Sequence, residues 1–327
     1  MLFQLPCQDL LFPCPPRDAL PFASDAFLWY NPDVLTVCSY AKVNLCLKIV
    51  GRRPDGYHDL CSIFQTVSLG DRLTFRARND ERINVVCDDP SIPSDGRNLA
   101  VRAAELLRRS IRGLGRASGR PLGADIGIQK RIPAGAGLGG GSSNAAATLT
   151  ALLKLWRVNK FAKKTLCEIA AEVGSDVPYF LTGGTCLVTG RGERIKRLPP
   201  VPKLNLLIIF PGIHVSTAWA YSKLSLALTK RLKYSKIMER LFQGRPGPGR
   251  ISGIMENDLE TAVIGRHPAI ARAKSDLTAA GALNSLMSGS GSSVFGVFPD
   301  RASARKAWRL LSRRWPESHL AESVAGT

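Results

Sequence analysis

One glycine-dense stretch constrains this chain more than any other: KRIPAGAGLGGGSSNAAA, from Lys130 to Ala147. Gly135, Gly137, Gly139, Gly140 and Gly141 crowd together, and Ser142, Ser143 and Asn144 follow them directly. An alanine-rich apolar run, Ala145 to Trp156, then carries helical spacing. Glycines let backbone N–H groups turn towards a ligand and let an anion approach with no Cβ in the way. A serine, Ser142 or Ser143, is expected to cap the helix, whose first N–H groups and dipole favour negative charge. The pattern therefore reads as a phosphate cradle feeding a helix. A flexible linker is the plain alternative, but a linker would not run straight into a capped helix.

Two commoner phosphate loops are excluded. A Walker A loop ends in Gly-Lys-Ser or Gly-Lys-Thr, and no lysine follows Gly141 here. Gly135, Gly137 and Gly140 do space as a dinucleotide fingerprint, which calls for an acidic ribose partner about 20 residues on. That region reads Asn159-Lys160-Phe161-Ala162-Lys163-Lys164.

The strand–loop–helix context is present in sequence. Asp125–Gln129 reads as a strand before the loop, and Asn98 to about Ile111 and Lys163–Val173 read as helices. Thr36–Val50 alternates as a strand, which sets Lys42 and Asn44 on one face, opposite the core. Further strands are expected at Ser62–Leu69, Arg72–Ala77, Arg82–Cys87 and Gly183–Gly190. Asp176 falls just past a helix, in a turn or at a fresh helix start, because Pro178 disfavours helix at Val177. Pro199, Pro200 and Pro202 mark a domain boundary. Beyond it the expectation is a strand (Leu204–Phe210), helices (Thr217–Leu228, Tyr234–Phe242), a linker (Gly244–Gly249), helices (Glu256–Ile264, Pro268–Ala280), a strand (Val294–Phe298) and a helix (Ala302–Leu311). The expected domains are a loosely packed extension over 1–35, a first unit carrying the glycine loop over 36–198, a second unit over 199–316 and a tail over 317–327.

With 327 residues, 45% hydrophobic and 22% charged, the chain has the material for two cores. No apolar run approaches the ~20 residues that span a bilayer, so no membrane is expected. The eight cysteines lack any C-x-x-C pair, and His58, His214, His267 and His319 lack ligand spacing. A zinc site is not expected, and the cysteines read as reduced residues of a cytoplasmic protein. The net charge of +19 suits anionic ligands of any class. It would suit a nucleic-acid-binding module too, but Arg102, Arg108, Arg109 and Arg112 read as a solvated helix face. No nucleic-acid partner is expected.

Three stretches in this order resemble the motifs of the GHMP kinase superfamily: Tyr40-Ala41-Lys42-Val43-Asn44-Leu45, Pro133 to Ser143, and Ser288-Gly289-Ser290-Gly291-Ser292-Ser293. Gly51 to His58, through Pro54-Asp55-Gly56-Tyr57, and Gly174-Ser175-Asp176-Val177-Pro178 resemble the branch acting in non-mevalonate isoprenoid synthesis. The resemblance covers roughly Thr36 to Leu311.

It implies an α+β fold of two domains, a ribosomal-protein-like β-α unit and a ferredoxin-like unit, with the active site between them. It further implies phosphoryl transfer from ATP, with Mg²⁺, to a cytidine diphosphate-linked methylerythritol, by a monomer or weak homodimer. Plastid residence stays open for this pathway, although the acidic extension argues against an import sequence.

By match, Asp176 accepts the proton of the attacking hydroxyl and Lys42 keeps it ionised; the bland readings are an N-cap aspartate and a solvated lysine. Pro133, Ala134, Gly135, Ala136, Gly137, Leu138, Gly139, Gly140, Gly141, Ser142 and Ser143 match the ATP loop. Asn98 and Lys130 match positions near the adenine, or serve as a cap and a surface charge. Asn44 matches a substrate contact, while Tyr57, His58 and, less closely, Tyr221 match a cytosine pocket. Ser290 and Gly291 match the lining of the phosphates or substrate diphosphate. Asn257-Asp258 matches a family stretch with no role attached. No protein residue set is expected to hold the metal beyond a serine such as Ser143. Homoserine- or mevalonate-type kinases of the same superfamily are the nearer rivals, but their substrates carry no base for Tyr57 and His58 to read.

Overall fold

A computed structural model describes residues 34–115, 119–224, 236, 238–239, 241–244 and 246–326. The extension over 1–33, and parts of the expected helices over 217–228 and 234–242, lie outside the described residues.

The first sheet is built on two long antiparallel strands, β1 (Val34–Arg52) and β2 (His58–Arg78). Around them stand β3 (Ile83–Cys87), β4 (Gly123–Gln129), β5 (Thr185–Gly190), β6 (Arg194–Arg197) and β8 (Glu256–Asn257), in the order β3-β4-β2-β1-β8 with β5 and β6 branching from β2. The two stretches expected as separate strands, Ser62–Leu69 and Arg72–Ala77, are one strand, because Gly70 continues the pairing opposite Tyr40. Helices α1 (Leu99–Gly113), α2 (Gly140–Leu155) and α3 (Lys163–Val173) cover one face with Leu107, Ile111, Leu149, Leu152 and Leu166. A four-residue helix, α4 (Val177–Phe180), follows α3.

The second sheet runs β11-β7-β10-β9 and is antiparallel throughout, from β7 (Asn205–Ile209), β9 (Asn284–Met287), β10 (Val294–Phe298) and β11 (Ser318–Glu322). Between its strands lie α5 (Thr217–Ser222), α6 (Pro248–Ser252), α7 (Glu260–Arg266), α8 (Pro268–Ala279) and α9 (Arg301–Leu311). The order and connections are those of a ferredoxin-like unit, as expected. Successive residues of β7 divide between two cores. Leu206 and Ile208 join Val43 and Leu45 of β1, whereas Leu207 and Ile209 pack with Ile270 and Leu277 of α8. That division explains an unbroken apolar run where alternation would otherwise be seen. The shared core ties the second sheet to β1.

Three expectations need correction. Residues 317–327 are not a tail: β11 pairs with β7, Leu204 N donates to Ser323 Oγ at 2.9 Å, and Gln65 Nε2 donates to the Val324 carbonyl at 2.9 Å. Glu256–Ile264 is not one helix. Glu256 and Asn257 pair in parallel with Cys46 and Leu47, and helix resumes at Glu260, so the proline boundary does not separate the sheets cleanly. The linker over Gly244–Gly249 gives way to α6 at Pro248, a residue suited to a first helical turn. Cys61 and Cys186 are buried, which pushes their thiols up to about 11 and about 12.

Deleting residues 318–327 should lower the thermal midpoint by about 10 °C or more. A melt indistinguishable from that of the full chain would show that β11 contributes nothing to the second sheet.

Candidate active site

The site grows from the middle of β1. The register with β2 shifts between Tyr40 and Ala41 and again between Asn44 and Cys46, so Lys42 and Asn44 stand between two irregularities. Such bulges re-aim side chains and twist a strand. Alternation suggested that these two face solvent; instead Lys42 is 3% exposed and Asn44 1%. Their face is roofed by the glycine loop and the Ser288–Ser293 loop.

A buried ammonium demands partners. Lys42 Nζ donates to Asn44 Oδ1 at 2.7 Å and to the Gly137 carbonyl at 3.0 Å, lies 4.8 Å from the centre of the Phe64 ring, and reaches Asp176 Oδ2 at 4.0 Å. Burial lowers its proton affinity, and the negative charge of Asp176 works against that shift. Asp176 occupies the N-cap position of α4 without making the capping bond, so its carboxylate stays available beside Lys42.

Gly137 and Gly139 set the loop. Both have positive φ, +77° and +73°. A Cβ on Gly137 would stand 2.1 Å from the Ser288 carbonyl, and one on Gly139 would stand 2.7 Å from the Phe180 ring. The left-handed Gly139 is itself the N-cap, and α2 begins at Gly140. Ser142 and Ser143 therefore lie inside the first turns and do not cap, contrary to expectation. Carbonyls of the loop point into the protein: Ala136 O accepts from Ser293 N, Gly137 O from Lys42 and Ser288, and Leu138 O from Lys42 N. The opening N–H groups of α2 have no partner within the helix, which suits an anion. Ser143 Oγ lies 2.7 Å from Ser39 Oγ, which is also 2.7 Å from Asn144 Oδ1.

The two residues matched to the adenine region have structural partners. Lys130 is not a surface charge: its Nζ lies 2.6 Å from Asp71 Oδ2, and Asp71 also accepts from Arg131 N and Ile132 N. This buried pair clamps the chain where it turns through Pro133 and Ala134 into Gly135. Asn98 caps α1, accepting from Ala100 N at 2.9 Å and donating to the Pro93 carbonyl at 2.8 Å.

At the other end of the cleft, His58 and Tyr221 stack obliquely with ring centres 5.4 Å apart. Burial, then the neighbouring charge of Arg52, push the His58 imidazole down, which favours its neutral form with one donor and one acceptor. Burial, then the charge of Asp176, push the Tyr221 phenol up. Tyr57 is 55% exposed, with the Arg191 guanidinium 4.0 Å from its ring centre. Arg191 lies between β5 and β6, and nothing in its sequence context marked it.

The third motif is held from below by Asn257. Its Nδ2 donates at 2.8 Å to the carbonyls of both Met287 and Gly289, and its Oδ1 accepts from Leu259 N. Glu260 Oε1 accepts from Met287 N at 2.7 Å. The loop so fixed presents Ser288 to the Gly137 carbonyl and Ser290 to Thr217, 2.9 Å away, with Gly291 at φ +85° between Ser290 and Ser292. Sequence reading noted Asn257 without a role; its strand neighbour Glu256, mistaken for helix, concealed it.

Comparison with known proteins agrees with this geometry. Residues 98–184 match the GHMP kinases N terminal domain and residues 246–317 the GHMP kinases C terminal domain. The chain is 41% identical over 273 residues to the 4-diphosphocytidyl-2-C-methyl-D-erythritol kinase of Pelotomaculum thermopropionicum, covering 84% of this chain and 92% of that one. Its counterpart in Prosthecochloris aestuarii is 39% identical over 280 residues, covering 85% and 94%. A crystal structure of 4-(cytidine 5'-diphospho)-2C-methyl-D-erythritol kinase superposes with a TM-score of 0.72 at 34% identity, covering 89% of this chain and 100% of that one. The chain belongs to the 4-diphosphocytidyl-2-C-methyl-D-erythritol kinase family of GHMP kinases. It is a kinase, and ATP is the phosphoryl donor of that superfamily. Homoserine kinase from Cytophaga hutchinsonii shares the fold, with a TM-score of 0.69 at 22% identity, covering 92% of this chain and 98% of that one. Among the described residues no helix is long and apolar enough to cross a membrane.

Asn257→Ala would leave two loop carbonyls without their donor, in a place closed to water. Urea unfolding should show a loss of about 1–3 kcal/mol, and kcat should fall further than KM rises. Unchanged stability and turnover would remove Asn257 from the support of this loop.

Proposed function

We propose that the chain transfers the γ-phosphoryl group of ATP to the 2-hydroxyl of 4-diphosphocytidyl-2-C-methyl-D-erythritol. The observation that carries this reading is the Lys42–Asp176 pair, 4.0 Å apart, with Lys42 also bonded to the Gly137 carbonyl of the glycine loop.

In this reading the loop N–H groups at the start of α2 hold the ATP phosphates. The acceptor's base lies among Tyr57, His58 and Tyr221, where a neutral imidazole can pair with a cytosine edge and the aromatic rings can flank it. The acceptor hydroxyl oxygen forms a bond to the γ-phosphorus, the bond to the β–γ bridging oxygen breaks, and ADP leaves. Asp176 takes the hydroxyl proton. Lys42 offsets the charge that builds on the transferred group, a task made effective by its dry surroundings. Ser290 and Gly291 line the phosphates.

Mg²⁺ belongs to the same proposal. One carboxylate, Asp176, and one hydroxyl, Ser143, are the donors at hand, a set that fits an ion keeping most of its waters and carried by the nucleotide phosphates. When bound, it would supply positive charge against the nucleotide's phosphates. Ser143 would be the protein's contact to that hydrated ion, with Asp176 kept for the proton of the acceptor hydroxyl.

The residues of the base pocket favour this acceptor over homoserine or mevalonate, since neither offers a ring to His58 and Tyr221. Wild-type enzyme is expected to phosphorylate the cytidine compound with ATP and Mg²⁺ and to use its base-free analogue poorly. Asp176→Asn should cut kcat by about 10²–10⁴-fold with the circular dichroism spectrum unchanged. Equal use of the base-free analogue, or full activity of Asp176→Asn, would contradict the assignment.

A further inference from the structure

The segment between β7 and α5 touches both loops of the site. Ser292 Oγ of the third motif donates to the Ile213 carbonyl, and Thr217 bonds to Ser290. Between these two ties stands His214, an exposed imidazole. A Cβ on Gly135 would stand 3.0 Å from His214 Nδ1, so the ring lies directly against the entrance of the glycine loop. Phe210 packs edge-on against it, with ring centres 6.0 Å apart, which restricts its rotation. Its ring nitrogens make no hydrogen bond to another described residue.

This residue is placed by the second sheet, yet it sits against a loop that emerges from the first. An exposed imidazole beside an aromatic ring and against the backbone of a glycine loop is placed to donate to an anion lying on that loop. The Lys42 ammonium and the Ser288 hydroxyl are both engaged by the Gly137 carbonyl, two residues on from Gly135. His214 supplies a donor where those two do not reach.

We propose that His214 is a phosphate-binding residue, donating a hydrogen bond to the polyphosphate of a nucleotide lying along the glycine loop. The proposal rests on that loop being the phosphate cradle. The same chemistry is presented by the tail of ATP and by the diphosphate of the proposed acceptor. Nothing in the three sequence motifs marks His214, because it belongs to none of them.

Calorimetric binding of ADP, adenosine, CDP and cytidine to wild type, His214→Ala and His214→Gln separates these sources. His214→Ala should weaken a nucleoside diphosphate about tenfold, the scale of one charge-assisted hydrogen bond. The parent nucleoside should bind as before, and the thermal midpoint should not move. His214→Gln, which keeps a donor, should recover part of the loss. Loss confined to ADP assigns the contact to the ATP tail; loss confined to CDP assigns it to the acceptor diphosphate. If both diphosphates bind the variants as tightly as wild type, or if nucleosides weaken equally, His214 is not a phosphate ligand. Failure of wild type to bind CDP at all would count against the acceptor reading, while the ADP arm would still decide the role of His214.

Discussion

A single buried ammonium organises this molecule. Lys42 is nearly sealed from water, and a charge so placed must be surrounded by oxygen or lose its proton. The partners it has are drawn from distant parts of the chain: Asn44 from its own strand, the Gly137 carbonyl from the phosphate loop, and Asp176 from the cap of α4. Two of those partners are themselves anchored elsewhere, Asn44 by donating to Ser62 Oγ at 3.0 Å and Gly137 through the third motif. Gly137 is pinned by Ser288, Ser288 belongs to a loop strung from Asn257, and Asn257 sits on a two-residue strand paired with β1. The chain of contacts returns to the strand it began from. Ion pairs of Lys48 with Glu256 and Asp258, at 2.6 and 2.9 Å, tie the same two-residue strand to β1.

The same closure explains how a glycine-rich loop can be rigid enough to bind an anion. Five flexible residues would ordinarily lose much conformational entropy on ordering. Here the loop carbonyls are engaged by Lys42, Ser288 and Ser293 before any ligand arrives, and Lys130 with Asp71 secures the strand exit. The cost of ordering is thus met in folding, and binding can use the preformed geometry.

Much of this was legible in the residues. The glycine spacing announced a tight loop before a helix, the alternation in β1 announced the strand, and three motifs in order pointed to the family. What alternation could not convey was burial. Polar residues on one face imply solvent only when nothing covers that face, and two loops distant in sequence cover Lys42 and Asn44. Helix capping misled for a similar reason: Ser142 and Ser143 have the chemistry of caps, but Gly139 adopts the left-handed conformation that starts the helix earlier. Ser318–Glu322 and Asn284–Met287 lack the apolar alternation by which strands are recognised, and they exist because β7 and β10 offer them edges. Arg191, Asp71 and Ser39 gave no local signal because their roles are defined wholly by tertiary neighbours.

Everything in the site converges on the span between Lys42 Nζ and the first N–H groups of α2. The most direct measurement is a crystal structure of the protein bound to a non-hydrolysable ATP analogue. The terminal phosphate should lie within hydrogen-bond distance of Lys42 Nζ and of backbone N–H groups in the Gly139–Ser142 segment, with Asp176 facing its open side. A nucleotide bound elsewhere, or phosphates turned away from Lys42 while the Asn44 and Gly137 contacts persist, would contradict the assignment of this cleft.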